Sequence, residues 1–290
     1  KPARERYLTA SDVAEDLRHW GSHPAAEARR NGEWEFVPKG LRSYGAEDAA
    51  FFQSLLPGPK DRMGVPASIN FWRHRIMEPL SQANTTPVGV IYGPSGSGKS
   101  SFVKAGLLPT LGKQVRTVYV ECTQERTETQ LISAVEREMN VGATGETLPG
   151  VFEGIAKDES GGDRKLLVVL DQFEQWLASG TAFRGSDLAH ALKFCDGQRL
   201  QVLLLVRDDY WRSLTRFMDV LEVDLREGQN TQSINLFDRE HARSVLQQLG
   251  AAYGRLPAPP EPLPAGASEF LDEVVEQISE NDLVVCIRLT

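Results

Sequence analysis

The stretch that decides the fold is a short apolar run followed by a glycine-rich octapeptide, Val88-Gly89-Val90-Ile91-Tyr92-Gly93-Pro94-Ser95-Gly96-Ser97-Gly98-Lys99-Ser100. Its last eight residues fit the pattern GxxxxGK[ST] at every fixed position. The run 88–92 predicts a buried strand, and residues 99–108 predict a helix. A glycine-rich loop between a strand and a helix is typical of sites that bind nucleotide phosphates.

Each residue type in this loop suits an anion. Glycines let the backbone adopt positive φ and bring successive N–H groups against a β-phosphate. Lys99 supplies a mobile charge for the β- and γ-phosphates, and the Ser100 hydroxyl is suited to Mg²⁺. We therefore expect a nucleoside triphosphate with Mg²⁺. The expected binding residues are Gly93, Pro94, Ser95, Gly96, Ser97, Gly98, Lys99, Ser100 and Ser101.

Strands and helices alternate around this loop. Apolar runs predict further strands at 115–120, 165–170 and 200–206, with a short one at 233–236, and helical spacing predicts helices between them. Two more helices are predicted before the loop, at 47–56 and 68–80, and two after the last strand, at 239–249 and 269–279. Continuously apolar strands separated by helices belong in a parallel sheet covered on both faces. The expected fold class is an α/β three-layer sandwich of the P-loop NTPase kind, followed by a helical lid.

Two acidic residues follow the apolar run 166–170. Asp171 ends the run, and we expect it to hold Mg²⁺ together with Ser100. Glu174 lies three residues further on and has two interpretations. It is either the base that orients the attacking water, or a solvated residue at a helix start, where the helix dipole favours an acid.

Arg207 ends the apolar run 200–206. In an open parallel sheet the carboxyl ends of the strands face the ligand crevice, so this cation can sense or stabilise the γ-phosphate. The alternative is a local ion pair with Asp208 or Asp209. The candidate catalytic residues are thus Lys99, Glu174 and Arg207.

Composition narrows the function further. The 290 residues include 32 Lys plus Arg and 40 Asp plus Glu, a formal charge of −8, which argues against nucleic acid as a partner. Cys122, Cys195 and Cys286 form no CxxC pair, so the sequence predicts reduced thiols in the cytoplasm rather than disulfides or zinc. The apolar runs are far shorter than the about 20 residues of a membrane helix. No NKxD-like segment reads guanine, which favours ATP over GTP.

Four segments, at 40–52, 93–109, 169–175 and 206–211, resemble the STAND class of P-loop NTPases. The third reads Val169-Leu170-Asp171-Gln172-Phe173-Glu174-Gln175, similar to the DQFEE-like Walker B motif of the bacterial branch. The resemblance covers about residues 38–290. It implies an AAA+/STAND-like NTPase domain at 38–235 with a helical lead-in, and a lid at 236–290 that looks incomplete. Many relatives read FFGRE where this chain has Phe51-Phe52-Gln53-Ser54-Leu55.

In that class a slow ATPase acts as a signalling switch between an effector domain and C-terminal sensor repeats, often of the WD type. Residues 1–20, with Arg6-Tyr7-Leu8-Thr9-Ala10 and Asp16-Leu17-Arg18, resemble the closing helix of bacterial Ser/Thr protein kinase domains. This implies a fragment of a longer chain: a kinase, a linker at 21–37, the switch and the repeats. The resemblance also allows a nucleotide-dependent homo-oligomer.

Three functions are compatible with the sequence. The first is this ATP-hydrolysing switch, and the second is a P-loop kinase of small molecules or polynucleotides. The third is a nucleotide-binding scaffold with little turnover. A small-molecule kinase needs an arginine-rich lid, and residues 212–230 offer only Arg212, Arg216 and Arg226.

Overall fold

The computed structural model of the chain describes residues 43–77, 86–140, 147–157, 164–179 and 183–289. The kinase-like segment 1–20 and the linker 21–37 lie outside the described residues, as do the first residues of the expected NTPase domain.

Within these ranges five strands form a parallel sheet in the order β2-β3-β4-β1-β5. The strands are β1 (Val88–Gly93), β2 (Val115–Glu121), β3 (Lys165–Asp171), β4 (Leu200–Arg207) and β5 (Thr231–Ser233). All five were predicted, although β5 begins and ends earlier than expected. Strand β4 lies between β1 and β3, with Arg207 beside Gly93. The carboxyl ends of β1, β3 and β4 therefore meet at one edge.

The described helices are α1 (Ala49–Leu55), α2 (Ala67–Met77), α3 (Lys99–Ser101), α4 (Thr127–Met139), α5 (Leu148–Lys157), α6 (Glu174–Leu177), α7 (Asp187–Leu192), α8 (Trp211–Leu221), α9 (Arg239–Ala252) and α10 (Ala265–Ile278). Helix α3 continues with π geometry over Phe102–Leu107 and ends in a 3₁₀ turn at Leu108–Thr110. The predicted helix at 99–108 is thus one segment with three geometries. Helices α5 and α7 were not predicted.

The core has one apolar layer on each face of the sheet, because successive strand residues point to opposite faces. On β3, Leu167 and Val169 pack with α1, α2, α9 and α10. Their neighbours Leu166 and Val168 pack with α4, α5, α7 and α8. Both faces of β3 are buried, which explains its unbroken apolar sequence. The three-layer α/β fold predicted from the sequence is confirmed.

A second, smaller sheet lies in the region expected to be a helical lid. It is antiparallel, in the order β6-β8-β7. Its strands are β6 (Phe237–Asp238), β7 (Ser279–Glu280) and β8 (Leu283–Val284). It joins the start of α9 to the end of α10, and a 3₁₀ turn at Cys286–Leu289 follows. The sequence predicted the two helices but not this sheet.

The structure also bears on the cysteines and on the apolar runs. Cys122, Cys195 and Cys286 are all buried and free of disulfides. No helix in the described part of the chain is both long and apolar enough to cross a bilayer.

Candidate functional site

The glycine-rich loop leaves β1 in a conformation that needs its glycines. Gly96 and Gly98 have φ of 75° and 90°, in the left-handed region that side chains disfavour. At Gly93 the reason is space: an added Cβ would lie 2.0 Å from the carbonyl oxygen of Ile234, just beyond β5. Gly98 caps α3, so the free amides at the start of that helix face the loop.

The Lys99 side chain folds back onto the start of the loop. Its Nζ donates hydrogen bonds to the carbonyl oxygens of Gly93 and Pro94, both at 2.8 Å. Burial lowers the pKa of Lys99, while the charges of Glu174 and Asp171 act in the opposite direction. A cation that bonds two neutral carbonyls can exchange them for phosphate oxygens at little cost.

Asp171 ends β3 and is the centre of a hydrogen-bonded cluster. Its side chain is buried, and its Oδ2 accepts hydrogen bonds from Ser100 Oγ at 2.7 Å and from the Tyr119 hydroxyl at 2.5 Å. Its Oδ1 accepts one from the Gln172 amide at 2.8 Å. Burial, followed by the charge of Asp171, raises the pKa of Tyr119, so the hydroxyl stays a donor.

The oxygens of Ser100 and Asp171 fit Mg²⁺, which prefers oxygen ligands and usually takes one or two carboxylates plus phosphate and water. The described residues contain no group of three His, Cys, Asp or Glu side chains that could hold a metal by themselves.

Glu174 is the first residue of α6 and is 7 % exposed, so it is not a solvated residue at a helix start. Its Oε2 accepts a hydrogen bond from the backbone N–H of Arg207 at 3.3 Å. Burial raises its pKa above the usual range of a glutamate. The chain reaches it through Gln172, whose φ of 52° turns the backbone between β3 and α6.

Arg207 forms the local ion pair that the sequence left as an alternative. Its Nε and Nη2 donate to Asp209 Oδ1 at 3.0 Å and Oδ2 at 2.6 Å. The Arg207 side chain is 41 % exposed and still lines the cavity described next. The structure therefore brings all three candidate catalytic residues to one edge of the sheet, with Arg207 bound to an internal anion.

A cavity of about 540 Å³ opens at this edge. The loop from Ser95 to Ser101 lines one end together with Asp171, Glu174 and Arg207. The other end is apolar and comes from two distant segments. These residues are Tyr44, Phe52, Leu55 and Leu56 before the loop, and Ile234, Leu236, Phe237, Val245 and Leu289 after the sheet. Its size and lining suit a nucleotide, with the base among apolar side chains.

The residues of the apolar end, and Tyr119, were not found from the sequence. The segment at 51–55, where many relatives read FFGRE, does supply cavity wall through Phe52 and Leu55. Ser101 Oγ accepts a hydrogen bond from the amide of Tyr44 at 3.1 Å, and the ring of Tyr44 contacts that of Phe52 in this segment. Such contacts join residues far apart in sequence and leave no local pattern to read.

This fold, with a phosphate-binding loop after β1 and an acid at the end of β3, defines a P-loop NTPase. The family model of novel STAND NTPase 1 (nSTAND1) matches residues 67–258. The chain belongs to that family. No curated protein matches it.

Solved structures support the fold. The ORC2 protein of Aeropyrum pernix, in ADPNP–ADP complexes, superposes with a TM-score of 0.56 at 18 % identity. The match covers 81 % of this chain and 61 % of that one, so this chain spans less than two thirds of that relative. The Walker-type ATPase paby2304 of Pyrococcus abyssi gives 0.50 at 14 % identity, covering 80 % and 69 %. At these identities the likeness concerns the fold alone.

Proposed function

We propose that this chain is the ATP-binding, slowly ATP-hydrolysing switch module of a STAND-type signalling protein. The observation that carries the proposal is the cavity. One end gathers the loop, Asp171, Glu174 and Arg207, and the other end is closed by segments that precede the loop and follow the sheet in the chain. A ligand that fills it contacts both ends at once. Nucleotide state can therefore set the arrangement of segments outside the sheet.

The phosphates bind the amides of the loop, and Lys99 exchanges the carbonyls of Gly93 and Pro94 for phosphate oxygens. Ser100 and Asp171 would hold Mg²⁺, and the ion would supply positive charge that stabilises the phosphates. Glu174 accepts the proton of the attacking water, which its raised pKa makes easier near neutral pH. Arg207 binds the γ-phosphate once its ion pair with Asp209 has broken.

The wider architecture is part of the proposal. Residues 38–235 form the NTPase domain and 236–290 the lid, following a linker and the end of a Ser/Thr kinase domain at 1–20. Sensor repeats of the WD type lie beyond the lid, and nucleotide controls contacts among these domains or between copies of the chain. We propose a cytoplasmic protein with no nucleic-acid partner, in keeping with the charge of −8.

Two substitutions test the site. Lys99→Ala removes the charge at the loop and is expected to abolish binding of a fluorescent ATP analogue. Glu174→Gln is expected to retain binding and to lower turnover at least about a hundredfold, because general-base catalysis contributes 10² or more. Glu153→Gln is the matched control, since it removes a partly exposed carboxylate of α5 that is absent from the cavity wall.

Normal hydrolysis by Glu174→Gln contradicts the assignment of the base. The switch itself is tested by ATP consumption with and without small-molecule or polynucleotide acceptors. Consumption that depends on an acceptor contradicts the switch and identifies a P-loop kinase. Tight binding without measurable turnover in the wild type identifies a nucleotide-binding scaffold.

A further inference from the structure

A tyrosine hydroxyl belongs to the acidic part of the site, although its strand β2 is separated from β1, the strand that leads into the loop, by β3 and β4. Tyr119 lies on β2, and its hydroxyl donates to Asp171 Oδ2 at 2.5 Å. Ser100 Oγ donates to the same oxygen at 2.7 Å. Among the described residues, these are the two side chains that donate to this carboxylate.

The two oxygens of Asp171 are held differently. Oδ1 is bonded to the amide of the next residue, Gln172, which leaves rotation of the carboxylate to be fixed at Oδ2. Ser100 cannot fix it alone during binding, because its own oxygen becomes a ligand of the metal. The Tyr119 hydroxyl also lies within hydrogen-bond reach of Ser100. A tyrosine hydroxyl has a single proton to donate, and Tyr119 donates it to Asp171 Oδ2, so this bond can persist while Ser100 turns to another partner.

The ring of Tyr119 has a contact of its own, with Lys104. Lys104 Nζ lies 4.6 Å from the ring centroid and forms an ion pair with Glu121 at 2.9 Å. This contact orients the ring whether or not its hydroxyl is present. Loss of the hydroxyl alone therefore changes Asp171 and leaves the packing of β2 intact.

We propose that Tyr119 is a positioning residue for the Mg²⁺ site, whose hydroxyl holds the Asp171 carboxylate turned towards Ser100 before the metal–nucleotide complex arrives. The inference rests on the proposed function, since the metal arrives with nucleotide. Groups that orient a metal ligand typically change metal affinity 10–100-fold when they are removed.

The test is Tyr119→Phe in the full chain, with binding of a fluorescent non-hydrolysable ATP analogue titrated at increasing Mg²⁺ and in EDTA. Mg²⁺ is expected to increase the affinity for the analogue, and we expect the Mg²⁺ concentration that gives half of this increase to rise about tenfold in Tyr119→Phe. Affinity in EDTA and the thermal midpoint are expected to stay at the wild-type values. Tyr92→Phe is the matched control, because Tyr92 lies near the carboxyl end of β1 and its hydroxyl donates to Glu227 instead.

Two results overturn this inference and leave the proposed function standing. In the first, nucleotide affinity of the wild type depends on Mg²⁺, and Tyr119→Phe needs the same Mg²⁺ concentration as the wild type. In the second, Tyr119→Phe loses the same amount of nucleotide affinity with Mg²⁺ as in EDTA. The second result shows a structural role only. A wild type whose nucleotide affinity ignores Mg²⁺ overturns the metal site of the proposed function as well.

Discussion

At the scale of single residues, the Arg207 guanidinium is expected to have a choice of two anions when nucleotide is bound. One is internal, since Asp209 accepts two hydrogen bonds from it at 3.0 and 2.6 Å. The other is the γ-phosphate expected in the cavity that Arg207 lines. Both side chains of the pair are about half exposed, so the ion pair is weak and can be exchanged. We therefore propose that Asp209 competes with the γ-phosphate for Arg207.

Asp209→Ala tests this competition. Freed from its partner, Arg207 is expected to raise affinity for a non-hydrolysable ATP analogue about fivefold, the equivalent of about 1 kcal/mol for an exposed pair. Affinity for ADP, which lacks the γ-phosphate, is expected to change by less than about twofold. Both are measured by displacement of a fluorescent nucleotide.

The control for this experiment is Asp208→Ala, which removes the same charge one residue earlier and leaves the Arg207–Asp209 pair in place. Equal effects of the two substitutions on ATP and ADP show that general electrostatics, rather than competition for Arg207, governs affinity here.

At the scale of elements, the contact of α2 with the sheet depends on a missing side chain. Gly89 on β1 faces Trp72 of α2, and an added Cβ would lie 2.5 Å from the indole ring. Trp72 is fully buried, so the ring has no room to move away. This close approach keeps α2 on the strand that leads into the phosphate-binding loop.

Gly89→Ala is expected to lower the free energy of unfolding by about 1–3 kcal/mol, the usual range for overpacking. Gly154→Ala on α5 is the control, because nothing lies within 4 Å of its added Cβ. In that helix the change is expected to be neutral or to stabilise by up to about 1 kcal/mol. Chemical denaturation measures both, and a wild-type stability for Gly89→Ala shows that α2 can shift outward.

The elements also show what the sequence could and could not predict. Strands β3 and β4 were predictable because both faces are buried and their apolar runs are unbroken. The sheet β6-β8-β7 was not, since strands of two residues carry no periodicity. Helix α5 contains Pro149 and Gly154, which read locally as breaks.

The same contrast holds for the site. The loop and Asp171 follow a fixed spacing and were found from it. Tyr119, whose partner lies 52 residues away, was not found. Whether Arg207 meets a phosphate or Asp209 depends on geometry at the end of β4, and the sequence could only state both.

At the scale of the whole molecule, the cavity joins segments that are widely separated in the chain. Tyr44 and Phe52 come before the loop, and Cys286 and Leu289 come from the turn after the small sheet. Among the described residues, two hydrogen bonds join α1 to α9, the helix that lies between β6 and this turn in the chain. His241 Nε2 lies 2.7 Å from the carbonyl oxygen of Leu55, and Ser54 Oγ donates to Gln248 Oε1 at 3.0 Å. We propose that a nucleotide base in the cavity adds a third connection between α1 and α9, since residues of both helices line it.

Hydrogen exchange of the whole chain tests this connection. With Mg²⁺ and a non-hydrolysable ATP analogue at about 100 times its Kd, stabilisation of about 2.7 kcal/mol is expected, with a rise in Tm of roughly 5–10 °C. Amides at 43–57, 93–101 and 279–289 are expected to gain protection together.

Tripolyphosphate is the matched ligand without a base. It is expected to protect 93–101 alone, because it reaches the loop but not the apolar end. Protection of all three segments by tripolyphosphate contradicts a base-dependent connection, and Lys99→Ala is expected to remove every effect of either ligand.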